Sequence, residues 1–176
     1  LSMNVAAAEI TRCVLERDDK VRILDADALN IIAGEHIDYK GSREGQIIIT
    51  PHIMEMSRLT GKTVADIKEH MIESAKEYAI QHSCICILKD ARTVVTDGQK
   101  VYINCTGNDG MSTGGCGDVL TGLIAGMTAM GLDAFEAACL SVYVHGKAGD
   151  YAASGKGRAG MTAADVSEAI AYVLKR

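Results

Sequence analysis

Three compact apolar runs, VRIL at 21–24, IIIT at 47–50 and CICIL at 84–88, alternate with segments whose apolar residues recur at helical spacing. Runs this short and this uniformly apolar read as strands buried on both faces. Helical spacing falls at residues 5–15, before the charged turn ERDDK, and at 53–59 and 64–81, where Thr63 can cap the longer segment. Pro51, the only proline, stops the second strand. The segment 92–105, RTVVTDGQKVYINC, reads as two strands joined by Asp97-Gly98, a strong hairpin signal. Three helices rich in small residues are expected after it, at 118–130, 134–153 and 163–175, the last with Thr162 or nearby polar residues as cap, and such residues allow close packing on a sheet. The expected fold is an α/β layered protein, a mostly parallel sheet flanked by helices with one local antiparallel element. No repeat, low-complexity tract or linker interrupts residues 1–176, so a single domain is expected.

Composition narrows the partners. The net charge of -5 arises from 23 acidic and 18 basic residues dispersed along the chain, with no basic block to neutralise a run of phosphates, which argues against nucleic acid. The longest apolar region, 119–132, is interrupted by Thr and Gly and is shorter than the roughly 18 residues of a membrane span, so no membrane role is expected. Six cysteines at irregular spacing, without a CxxC pair, fit reduced thiols in a cytoplasmic protein. Cys84 and Cys86 would share one side of a strand, and core packing is preferred to a metal pair because no further ligands complete a site. No resident metal is expected.

Function is concentrated in residues 107–126, GNDGMSTGGCGDVLTGLIAG, which contains seven glycines and opens a helix near Gly117. Glycine lets backbone amides approach a ligand, and the first amides of a helix have no internal partners and lie at the positive end of its dipole. Gly114, Gly115, Cys116 and Gly117 therefore form a plausible phosphate cradle, with Asn108 in support. A carboxylate beside it, Asp118, would repel the phosphate unless its job is to take a proton from a substrate hydroxyl, a role worth roughly 10² to 10⁴ in rate. The alternative is that Asp118 is a helix cap and the glycines serve helix packing. The stretch is neither a Walker loop, lacking Gly-Lys-Ser/Thr, nor a dinucleotide GxGxxG following a strand.

Together with ILDADALN (23–30), ITPHIMEMSRLTG (49–61) and LKDARTVVTDG (88–98), the glycine stretch resembles the ADP/ATP-dependent NAD(P)H-hydrate dehydratases of the ribokinase-like superfamily. The motifs occur in the family's order over nearly the whole chain. The resemblance implies a carbon–oxygen lyase of metabolite repair, which restores hydrated NADH or NADPH while cleaving ADP or ATP with Mg2+. A base removes the hydroxyl proton, the oxygen takes the terminal phosphoryl group, and phosphate departs to regenerate the double bond.

By this resemblance Asp118 matches the base and a substrate contact, and His52, just past a strand end, matches a contact to the hydrated nicotinamide; packing at a strand end is the alternative for His52. Gly117 and the segment Lys89, Asp90, Ala91, Arg92, Thr93 match nucleotide contacts, although a lysine there could simply be solvated. Asp25, Asp27 and Asn30 could position magnesium-bound phosphate through water, or Asp27 could cap a helix; Glu55 could orient His52 or cap the next helix. His145 and Asp150 read as surface or structural residues. Two departures stand out. Ile53-Met54 replace the family's usual Pro-Gly after the histidine, and Cys116 replaces a smaller residue before Gly-Asp, where a thiol at a helix start could have thiolate character.

Family members are longer, and their extra length lies ahead of Leu1, where this chain passes at once into a helical segment with no evident cap. The resemblance therefore implies the C-terminal part of a dehydratase domain, without its N-terminal strands and with an exposed sheet edge, which needs a partner or a missing segment. Family members often form homo-oligomers. A ribokinase-like small-molecule kinase, using Asp118 identically, and a non-catalytic nucleotide-binding fragment remain the competing readings.

Overall fold

The computed structural model describes residues 4–17, 19–41 and 47–175. These form two compact units, one comprising residues up to Asp90 together with Val94–Tyr102, the other Ala91–Thr93 with the chain from Ile103 onward.

The first unit is built on strands β1 (Arg22–Leu24), β2 (Ile47–Ile49), β3 (Ile85–Leu88), β4 (Val94–Thr96) and β5 (Val101–Ile103), whose spatial order follows the sequence. β1, β2 and β3 are parallel, with Leu24 opposite Ile49 and Ile49 opposite Cys86, and β4 runs antiparallel to β3. This is the expected mixed sheet. Ile47, Ile48 and Ile49 are fully buried although successive side chains in a strand point to opposite faces, so both faces of β2 are covered. Burying each isoleucine contributes about 1.5–3 kcal/mol. Cys84 and Cys86 belong to the core that also holds Leu24, Ile49, Ile53, Met56 and Tyr78, as ordinary packing requires.

Helices α1 (Val5–Glu16), α2 (Asp27–Gly34), α3 (Ile53–Thr60), α4 (Val64–Glu69) and α5 (Met71–His82) complete this unit. Three local expectations change. Asn4 does cap α1, its Oδ1 accepting from the Ala7 amide at 2.9 Å. Asp27 is not a cap but the first residue of α2, whose cap position is Ala26. The single helix expected over 64–81 is two, because His70 leaves helical geometry at φ -126° and ψ 50°, and no glycine or proline marks the break. Thr63 caps α4 as foreseen: its Oγ1 accepts from the Asp66 amide at 3.2 Å while Asp66 Oδ2 accepts from the Thr63 amide at 3.3 Å. The β4–β5 turn is longer than two residues, since Asp97 Oδ1 accepts from the amides of both Gln99 and Lys100.

The second unit consists of α6 (Cys116–Ala129), α7 (Ala134–Lys156) and α8 (Ala163–Val173), with the glycine loop ahead of α6 and a short 3-10 turn at Asp109–Met111. Its core joins Cys116, Ala148, Ala152, Met161, Val166 and Ala169. Small residues dominate because α7 packs closely on α6 and α8. Asp133 caps α7, and Asp165 accepts from both the amide and the hydroxyl of Thr162 at the start of α8. Among the described residues, no helix is long and apolar enough to cross a membrane.

Candidate functional site

Polar side chains gather where β1, β2 and β3 end, the place where open α/β sheets present ligand groups. Asp25 follows β1, and its Oδ1 lies 2.9 Å from Lys89 Nζ, just after β3. The Lys89 amide donates to the Pro51 carbonyl at 2.8 Å, and His52 and Lys89 form one isolated parallel bridge, so the three strand ends lie side by side. Burial works against the charged form of Asp25, but the Lys89 ammonium, the Thr50 hydroxyl and the Ala26 amide together outweigh it and hold the carboxyl below its usual range. Lys89 is thus a paired charge rather than a solvated one. Asn30 accepts from Arg58 Nη1 at 2.7 Å.

His52 is the N-cap of α3. Its Nδ1 accepts from the amides of Met54 and Glu55 at 3.1 and 3.2 Å, and Glu55 Oε2 accepts from the His52 amide at 2.8 Å. The neutral ring must then carry its proton on Nε2, which lies 3.5 Å from Glu55 Oε1. Glu55, almost wholly buried, closes the capping box, the capping role considered for it, and its Oε1 stands beside the ring. The His52 side chain is half exposed, not packed into the strand end. Ile53 and Met54, in place of Pro-Gly, begin α3 directly, with Ile53 buried and Met54 exposed.

In the second unit α6 starts one residue before Gly117, at Cys116, and its N-cap is Gly115 at φ 91°, a conformation that glycine adopts without strain. The glycine cap offers no side-chain acceptor to the first amides of α6, and the Cys116 amide donates instead to the Thr113 carbonyl at 3.3 Å. Asp118 is the third helical residue, exposed, and is not the cap that the alternative reading required. Gly114 is exposed, and a Cβ there would meet nothing within 4 Å. Cys116 departs from expectation: its side chain is buried, and burial pushes the thiol up from its ordinary value, the direction opposite to thiolate character, despite a backbone hydrogen bond involving Thr113. Within the KDART segment, Asp90, Ala91 and Arg92 are exposed, Arg92 Nη1 donates to the Ala91 carbonyl at 3.3 Å, and the Thr93 carbonyl accepts from the Asn104 amide at 2.9 Å.

Asp150, read from the sequence as a surface or structural residue, has a structural part in the loop ahead of α6. Its Oδ2 accepts from the Gly107 amide at 3.0 Å and its Oδ1 from Asn108 Nδ2 at 3.2 Å. Asn108 Oδ1 in turn accepts from the Gly110 amide at 3.1 Å. The pattern Gly146-x-x-Gly149-Asp150 on one long helix is the signal in the sequence that could have exposed it.

These residues suit a nucleotide better than a protein-held metal. Exposed glycines and the start of a 14-residue helix offer amides to phosphate oxygens. No group of three or more His, Cys, Asp or Glu side chains among the described residues could hold a metal ion, and Asp25 already has the Lys89 ammonium as its partner. Magnesium would accordingly be carried largely by phosphate oxygens and water, its usual habit with nucleotides.

Layered sheet, strand-end polar groups and glycine-capped helix define the class as a ribokinase-like α/β protein. Solved structures agree. The chain superimposes on a ribokinase-like superfamily protein from Enterococcus faecalis with a TM-score of 0.85 at 26% identity, covering 98% of this chain and 60% of that one. It matches the ADP/ATP-dependent NAD(P)H-hydrate dehydratase of Bacillus subtilis, co-crystallised with ATP/Mg2+ and soaked with CoA, with a TM-score of 0.86 at 31% identity, covering 98% and 62% respectively. Residues 1–172 match the model of the NAD(P)H-hydrate dehydratase family, and the chain belongs to that family. It is 45% identical over 177 residues to a bifunctional NAD(P)H-hydrate repair enzyme of Moorella thermoacetica, covering 99% of this chain. It is 33% identical over 175 residues to an ADP-dependent (S)-NAD(P)H-hydrate dehydratase of Neisseria meningitidis, covering 97% of this chain. The chain spans 33% and 59% of the lengths of those two relatives.

Proposed function

We propose that the chain takes part in nucleotide-dependent dehydration of hydrated NADH or NADPH, with Asp118 as base. The observation that carries this reading is the start of α6: a glycine cap with no side-chain acceptor for the amides that follow it, and an exposed carboxylate on the third residue. Amides there hold the terminal phosphates of ADP or ATP, with Gly117 among them, and each donor aimed at the transferring group contributes about 3 kcal/mol to the transition state. Asp118 takes the proton of the ring hydroxyl, whose oxygen attacks the terminal phosphorus while the nucleotide leaves with one phosphate fewer. Phosphate then departs from the ring with loss of a neighbouring carbon-bound proton, and the double bond returns. Magnesium, when bound, neutralises phosphate charge.

His52 contacts the hydrated nicotinamide, and its Nε2-protonated tautomer, supported by Glu55, presents a donor rather than an acceptor. Lys89 and its following residues serve the nucleotide, and the Asp25 pair holds the ammonium in place. Unlinked thiols at Cys13, Cys84, Cys86, Cys105 and Cys116 suit a reducing, cytoplasmic setting. A homo-oligomer belongs to the same reading, and sedimentation of the purified chain tests it.

The decisive assay incubates the chain with hydrated NADH, ADP or ATP, and Mg2+, and follows the absorbance of the reduced nicotinamide. Recovery that falls by roughly 10² or more in Asp118→Asn is expected. Phosphorylation of an alcohol without recovery of the chromophore would instead assign a small-molecule kinase, and nucleotide binding with no turnover a non-catalytic module.

A further inference from the structure

The loop leading to the cradle lies against α7 and the α7–α8 connection, and at several of the contact points one side is glycine. A Cβ on Gly146 would stand 2.2 Å from Thr106 Oγ1, and one on Gly149 would stand 2.2 Å from Met111 Sδ. On the loop itself, a Cβ on Gly110 would stand 2.3 Å from the Arg158 carbonyl oxygen, and one on Gly115 would stand 3.0 Å from Ala163 Cβ. The Thr106 hydroxyl lies 3.0 Å from the Tyr143 carbonyl. One turn along α7 from these contacts, the Asp150 carboxylate takes one hydrogen bond from the Gly107 backbone and one from the Asn108 side chain.

We infer that Asp150 is a positioning residue for nucleotide binding: its carboxylate fastens Gly107 and Asn108 to α7 and thereby sets where the backbone of Gly114 to Gly117 stands. The inference rests on the reading of that backbone as a phosphate cradle. The chemistry of the clamp is directional. Asp150 is acceptor only, with one oxygen for each loop donor, and Asn108 is both donor to Asp150 and acceptor for Gly110. Gly107 is held at φ 99°, so the loop turns where a side chain would strain it. Only six residues separate Asn108 from Gly115, and the 3-10 turn between them leaves little slack. A displaced Gly107 would therefore move the cradle rather than be absorbed by the loop.

The clamp also predicts its own rescue. In Asp150→Asn the new NH2 must face either the Gly107 amide or the Asn108 amide, donor against donor. In the exchanged pair Asn108→Asp with Asp150→Asn, the amide side chain now on α7 accepts from Gly107 and donates to the loop, and the carboxylate now on the loop still accepts from Gly110. All three hydrogen bonds return with the same atoms in number and the same net charge. The full chain is titrated with ADP and Mg2+ by calorimetry, and exchange of the Gly107 and Gly110 amides is followed without nucleotide. Asp150→Asn should weaken ADP binding by roughly 10-fold to 100-fold and speed exchange at both amides, and the exchanged pair should restore most of each. Asp118→Asn, which removes a negative charge beside the phosphates, should not weaken ADP binding and should lose turnover instead. Unchanged ADP affinity in Asp150→Asn, or no recovery in the exchanged pair, would overturn the inference. Failure of the unaltered chain to bind ADP would overturn it together with the cradle, while the exchange rates would still tell whether Asp150 holds the loop.

Discussion

Replacing His52 separates what this side chain does for the fold from what it does for a substrate. His52→Ala removes the side-chain acceptor that serves the first amides of α3, those of Met54 and Glu55. Loss of an N-cap costs about 1 kcal/mol, within a range of about 0.5–2. The buried Glu55 also loses the Nε2 contact at 3.5 Å, while its bond from the residue-52 amide survives because that donor is backbone. The sum is about 1–2 kcal/mol, or a fall in Tm of roughly 3–6 °C for a chain of this length. His52→Asn keeps a cap acceptor and should fall by less than about 0.5 kcal/mol, because asparagine is among the preferred caps. Thermal melts followed by circular dichroism measure both, and the chromophore-recovery assay is run on each. The expected pattern is lost stability in the alanine variant only, and a raised KM for the hydrated nicotinamide in both. An alanine variant as stable as the parent would refute the cap, and an asparagine variant with unchanged KM would refute the substrate contact.

Three further outcomes follow from particular contacts. Asp25 has a folded-state pKa below its ordinary value of 3.8, so the stabilisation from its pair with Lys89 is complete above that pH and is lost as pH falls through the lower folded value; acid titration should show the parent and Asp25→Asn converging below about pH 4. Equal sensitivity at every pH would contradict this. Gly115→Ala must place a Cβ 3.0 Å from Ala163 Cβ at φ 91° and should lose about 1–3 kcal/mol in chemical denaturation along with ADP affinity, whereas Gly114→Ala, with open space around it, should fold normally. Burial pushes the Cys84 thiol up to about 12 and raises Cys86 and Cys116, so a thiol reagent at pH 8 should label exposed Cys13 and Cys105 rapidly and those three only on unfolding. Rapid labelling of Cys116 would show that its side chain is not buried.

Much of the architecture is legible in short windows because strands and caps are local. IIIT and CICIL announce buried strands by composition, and the glycine stretch announces a helix start without a side-chain cap. Thr63 with Asp66, and His52 with Glu55, are cap pairs three residues apart, within the reach of one helical turn. The family resemblance was carried by such windows too, since its motifs are contiguous.

Pairings across the chain belong to the tertiary structure alone. Lys89 finds Asp25 across 64 positions because β1 and β3 flank β2 in parallel register, and Asp150 finds Gly107 across 43 because α7 returns beside the loop. No periodicity encodes such distances. The break at His70 and the buried thiol of Cys116 likewise depend on packing, which decides whether a helix continues and whether a sulfur meets water. The amino-acid sequence by itself determined which strands form and where a glycine-rich loop opens a helix; only the folded chain decided which carboxylates are paired, which hold a loop, and that Asp118 stands exposed just inside the helix.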